Sequence, residues 1–309
     1  MLTLLCSLVV LASGCEQVGL GQRAKTAFSG EAALQYAQAQ VDFGPRVPGT
    51  EGHRRAGDWI ETQMRQKADT VIVQTWTHVT HDGDSLPMRN ILARISPELG
   101  QRVLYVAHWD TRPVAEKADN VDDRDDPIPG ANDGASGVGL LVALADALIE
   151  TPPQFGVDLL FVDGEDYGDF NADRDVLIGA RYFANNLPAQ DYRPLFGVVW
   201  DMVGAQGATF HYESYSTSGA PEVVTRVWQT AADLGYSQYF VPRIGGPITD
   251  DHLPMLEKGL RVIDVIDIAS NGNIRYPDHH KPTDTMDKLS VRTLQAVGDV
   301  ATALVTGNR

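Results

Sequence analysis

Cysteine is nearly absent from this 309-residue chain: only Cys6 and Cys15 occur, both close to the N-terminus. The body beyond them has no possible internal disulfide and must rely on its apolar core. Cations are scarce as well, with 25 Lys and Arg against 41 Asp and Glu and a net charge of -16. That balance argues against nucleic acid or anionic membrane surfaces as partners. No apolar run is long enough to span a bilayer. Neither an internal repeat nor a linker divides the chain, so one domain with one large core is expected.

What is present begins with MLTLLCSLVVLASGCEQ, a short apolar stretch followed by small residues and a cysteine. This has the shape of a secretory signal ending in a lipobox-like LASGC. Residues 1–14 are expected to be a signal peptide, 15–28 a polar tether lipidated at Cys15, and 29–309 the catalytic domain. The protein would then be exported and anchored to a membrane through lipid alone, facing the periplasm or cell exterior. No Lys or Arg precedes the apolar run, so ordinary secretion stays open.

Ser29 is placed to cap a helix carrying Leu34, Ala37 and Val41, and Thr50 one carrying Ala56, Trp59, Ile60 and Met64. Val138, Leu141, Ala145 and Leu148 form another helical stripe, as do Leu294, Val297, Ala301 and Leu304. Strands are predicted near 71–78, 88–96, 102–108, 157–163, 196–201 and 260–267. Strands alternating with helices imply an α/β domain, with a mainly parallel twisted sheet covered on both faces. AEKADNVDDRDDPIPG, residues 115 to 130, is acidic and without periodicity, and is expected to be a solvated loop over the site.

Three apolar runs end in acidic or histidine side chains: VLYVAHWD, VDLLFVDGED and FGVVWD. Ligands bind beyond the carboxyl ends of strands in open α/β sheets. His108, Asp110, Glu165, Asp166 and Asp201 would share one rim, with Asp133 nearby in GANDGASG. Such groups repel one another unless a cation sits among them or one stays protonated. Asp133, Asp166 and His280 are candidate ligands for one zinc ion, with His108 and Asp201 available for a second. Glu165 directly precedes Asp166, so one can hold metal while the other faces substrate as general acid/base.

AHWDTRP, GANDGASGVGLL, FVDGEDYGD, VVWDMVGA, ITDDHLPML and the HxxxDT of HHKPTDT together resemble the zinc exopeptidase family, which holds di-zinc aminopeptidases and zinc-dependent glutaminyl cyclases. The resemblance runs from about residue 30 to the C-terminus and implies a zinc aminopeptidase-like fold. DGE followed by an acid, and DDH, are similar to the cyclase branch. The resemblance implies one zinc held by Asp133, Asp166 and His280, with His280 preferred over His279 because it keeps the spacing to Asp284 and Thr285. Glu165 would be the acid/base, and Asp201 and Asp251 a hydrogen-bonded acidic pair beside it. Asp166 stands where Glu is more usual. Two tryptophans of the cyclases are missing, one replaced by His279 and one lost within DFNADRD, leaving Tyr276, Trp109 or Phe170 as possible pocket walls.

The reaction so implied is cyclisation of an N-terminal glutamine of a peptide or protein to pyroglutamate, with release of ammonia. One alternative is a di-zinc aminopeptidase using His108, Asp133, Asp166, Asp201 and His280. The other is a lipoprotein that binds peptides without turnover.

Overall fold

The computed structural model describes residues 25–307. The signal-shaped stretch, Cys15 and most of the expected tether lie outside them. The tether ends sooner than residue 28: Phe28 is buried in the space a side chain at Gly298 would need, and Thr26 donates to Asp299 at 2.6 Å.

Among the described residues eight strands form: β1 Thr70–Val79, β2 Ser85–Ile95, β3 Arg102–His108, β4 Gly156–Val162, β5 Phe196–Trp200, β6 Phe210–Tyr212, β7 Phe240–Ile244 and β8 Val262–Val265. Six make one sheet in the order β1-β2-β4-β3-β5-β8. Strands β4, β3, β5 and β8, the last at the edge, run parallel, while β2 pairs antiparallel with both β1 and β4. Strands β3, β4 and β5 are buried along their whole length, as continuous apolar runs covered on both faces should be.

The helices are α1 Gly30–Val41, α2 Glu51–Lys67, α3 Ala135–Glu150, α4 Ile178–Asn185, α5 Ser214–Gly219, α6 Pro221–Asp233, α7 His252–Glu257 and α8 Val291–Thr306. Ser29 and Thr50 cap α1 and α2, accepting from the amides of Ala32 and His53. Side chains along β3 alternate between two cores. Val103, Tyr105 and Ala107 pack with α3 and α8, whereas Leu104 and Val106 pack with Phe183 of α4 and Met255 of α7. None of these helices is long and apolar enough to cross a membrane.

Two regions depart from the expectation. Residues 202–259, for which no strand or helix was named, contain β6, β7 and α5 to α7. The buried stripe of α6, Val223, Val224, Val227, Trp228 and Ala231, was readable at helical spacing. The acidic 115–130 loop is solvated in large part but pinned at both ends. Ala115, Ala118 and Ile128 form a small buried cluster, and the buried Arg46 guanidinium donates to the carbonyls of Pro129 and Gly130 at 2.7 and 2.5 Å.

Candidate active site

Parallel register brings the strand ends together. His108 closes β3 opposite Val162 of β4, and Val106 lies opposite Val199 of β5, so 163–166 and Asp201 emerge beside His108. His108 Nε2 is 3.2 Å from Asp133 Oδ1 and 3.2 Å from Asp201 Oδ1. A side chain at Gly134 would strike His108, so glycine is what lets the α3 entrance approach β3. Burial opposes charge on the imidazole, yet Asp110, Asp133 and Asp201 together raise its pKa well above the ordinary histidine range.

Across the site, His280 Nε2 lies 3.3 Å from Asp166 Oδ1 and 3.8 Å from Asp133 Oδ2. His280 adopts φ 56°, the left-handed region that side chains seldom occupy, where its ring turns inward. Its neighbour His279 also approaches, 3.9 Å from Asp133 Oδ2, but its Nδ1 faces Lys117 Nζ at 2.7 Å. Two groups therefore offer three ligand atoms within 4.8 Å of one another: Asp133, His279 and His280, and His108, Asp133 and Asp201. Asp133 belongs to both, whereas Asp166, expected as a ligand with Asp133 and His280, belongs to neither: its Oδ1 is held by Arg112 and lies close to His280 alone.

The donors fit zinc, which favours imidazole nitrogen and carboxylate oxygen. Asp133 Oδ2 and Asp166 Oδ2 are buried without a hydrogen-bond partner. Buried anionic oxygens left so are expensive unless a cation meets them. Zinc bound there would supply Lewis-acid chemistry.

Backbone bracing comes from carboxylates to which the sequence assigned no bracing role. Asp110 accepts the Glu165 and Asp166 amides at 3.0 and 3.1 Å. Asp284 accepts those of Asn132 and Asp133 at 2.9 and 3.1 Å, and the Tyr276 hydroxyl at 2.6 Å. Asp110 was visible in AHWD; that it grips backbone rather than metal was not.

A cavity of about 420 Å³ opens over these groups, with Glu165, Asp166, Asp133, Asp201, Asp250 and His280 in its lining. Phe170, Met202, Ile248, Ile266 and Ile274 give it an apolar side. Of the aromatic wall candidates only Phe170 lines it. Trp109 is buried and stacked on His53 at 4.2 Å, and Tyr276 is turned to Asp284. Burial pushes the Glu165 carboxyl well above its usual range, with the charges of Asp166, Asp250 and Asp251 adding to the shift against His108.

The expected Asp201–Asp251 hydrogen bond is not formed. Both Asp251 oxygens lack a partner, and Asp201 Oδ1 turns instead to His108. Two carboxylates bond only when one carries a proton, whereas the imidazole offers Asp201 a donor outright. Nor does the Asp251 side chain cap α7. Asp250, not Asp251, reaches the cavity. Behind them lies Asp264, buried and raised by burial and by the charges of Asp250, Asp201 and Glu213. Sequence reasoning missed it because a carboxylate inside an apolar strand carries no local signal.

The crystal structure of Porphyromonas gingivalis glutaminyl cyclase is similar to this chain, with a TM-score of 0.86 and 41% identity, covering 90% of this chain and 98% of that one. A leucine aminopeptidase precursor from Bacteroides thetaiotaomicron VPI-5482 matches with a TM-score of 0.85 and 35% identity, covering 90% and 97%. Glutaminyl-peptide cyclotransferase of Bos taurus is 26% identical over 252 residues, 72% of this chain and 68% of that protein. The signature of peptidase family M28 matches residues 90–305, a span that takes in every strand end bearing a candidate ligand, and the chain belongs to that family.

Proposed function

We propose that this chain converts the N-terminal glutamine of peptides or proteins to pyroglutamate with release of ammonia. The observation that carries this reading is its 41% identity to a glutaminyl cyclase over 98% of that chain. Asp133, Asp166 and His280 would hold one zinc ion, which when bound polarises an amide carbonyl. The apolar side of the cavity, Ile248, Ile266, Ile274 and Met202, suits the methylenes of a curled glutamine side chain. Curling brings the α-amino nitrogen onto the side-chain amide carbon and gives the advantage of an intramolecular attack.

Glu165 takes a proton from the α-amino group as the new N–C bond forms. It returns that proton to the side-chain amide nitrogen as the C–N bond breaks, and ammonia leaves. Asp201 and Asp250 face the same cavity and would accept hydrogen bonds from the departing nitrogen, with Asp251 behind them. Incubating the zinc-loaded protein with a Gln-initiated peptide tests this. Stoichiometric ammonia and a blocked N-terminus are the expected result; an unchanged peptide contradicts it.

A second reading is aminopeptidase activity with two zinc ions. It is favoured by the close His108, Asp133 and Asp201 group, and by Asp201 turning to His108 rather than Asp251. Glu165 would then take its proton from water, and free amino acids would be released. We also propose export and anchoring through Cys15, which labelled fatty acid incorporation tests: Cys15→Ser should abolish it.

A further inference from the structure

We propose that Glu116 and Arg112 form an outer clamp that orients His280 and Asp166 for metal binding. Both line the cavity, but neither belongs to a group of converging ligand atoms; both act through the ligands. The inference rests on the zinc site proposed above.

Four side chains close a ring. Arg112 Nε donates to Glu116 Oε2 at 2.7 Å, and Glu116 Oε1 meets His280 Nδ1 at 2.5 Å. His280 Nε2 lies 3.3 Å from Asp166 Oδ1, which in turn accepts from Arg112 Nη1 at 2.9 Å. An ionised carboxylate only accepts, so Glu116 fixes the imidazole proton on Nδ1. Nε2 is the nitrogen left for a metal ion, aimed between Asp166 and Asp133. A ligating histidine commonly needs its second nitrogen held in this way.

Arg112 does the corresponding work for Asp166. Its Nη1 also donates to the carbonyls of Asp166 and Gly168 at 3.3 and 3.1 Å. The turn after Glu165 is thereby tied to the same guanidinium that occupies Oδ1. Asp166 Oδ2 is the oxygen left buried and unpartnered. One arginine thus selects which carboxylate oxygen faces the ion and supplies positive charge to an acidic site.

The clamp is carried on a braced segment. Ala115 and Ala118, on either side of Glu116, are buried with Ile128, and the Lys117 amide donates to the His280 carbonyl at 3.3 Å. The acidic loop therefore presents one carboxylate at a fixed place, while residues such as Asp122 remain in solvent.

Zinc affinity of the purified protein, measured by competition with a chromophoric chelator, tests the clamp. Glu116→Ala should weaken zinc binding by about 10–100-fold, the range found for outer partners of metal ligands. Glu116→Gln keeps an acceptor opposite Nδ1 and should lose less, and Asp122→Ala should bind like wild type. The metal-free Glu116→Ala protein should lose less stability, read by thermal unfolding, than its zinc binding loses in free energy. Wild-type affinity in Glu116→Ala overturns the clamp, and so does a zinc loss matched by an equal loss of metal-free stability. Failure of the wild-type protein itself to bind zinc would overturn instead the metal site on which the clamp rests.

Discussion

Asp284 accepts the backbone N–H of Asp133 at 3.1 Å, so the HxxxDT motif late in the chain fixes a candidate ligand more than a hundred residues earlier. Its other oxygen takes the Asn132 amide and the Tyr276 hydroxyl. Asp284→Asn places an amide NH₂ against one of these donors. Leaving a buried donor unmet costs about 1–3 kcal/mol. Thermal unfolding should show that loss, and chelator competition should show weaker zinc binding. Unchanged values in both would remove Asp284 from the support of the site.

Glu165→Gln keeps size and hydrogen bonding but cannot shuttle a proton. Turnover should fall by at least about 100-fold, in line with general acid–base contributions. Zinc content, read by atomic emission, should remain that of wild type. Loss of metal together with activity would mean that Glu165 and Asp166 have exchanged roles.

Asp267 gives a pH test of stability away from the ligands. Burial raises its carboxyl from 3.8 to about 6, against Arg275 and a backbone hydrogen bond from Thr209. A folded-state pKa above the unfolded one means that the native protein holds the proton more tightly. The stability linked to that proton is present below about pH 4 and lost as pH rises through about 6. Asp267→Asn should therefore raise the melting temperature at pH 8, on a scale of about 2–4 °C per kcal/mol, and leave it unchanged near pH 3. An equal shift at both pH values would contradict burial of the charge as its cause.

The centre of the sheet was legible because β3, β4 and β5 are continuous apolar runs, and the rim because the motifs that carry those runs end at His108, Asp166 and Asp201. Four kinds of feature were not legible. Asp264 interrupts a buried strand, and nothing local distinguishes it from a turn residue. Asp110 and Asp284 serve backbone amides whose positions depend on how distant loops meet. The Asp201–Asp251 pairing failed because the direction of a carboxylate depends on competing partners, and His108 stands within reach of Asp201. Glu116 lay in a segment read as solvent-facing, and it remains partly exposed while its carboxylate meets His280 and Arg112, a pairing that depends on how distant segments meet.

The choice between cyclisation and hydrolysis rests on one competition. Equal amounts of a Gln-initiated and a Leu-initiated peptide are incubated with the zinc-loaded protein, and ammonia, pyroglutamyl peptide and free leucine are measured together. Cyclotransferase activity predicts ammonia and pyroglutamyl peptide in equal amounts, with the Leu-initiated peptide intact. Free leucine appearing faster than ammonia would contradict it and assign the site to an aminopeptidase.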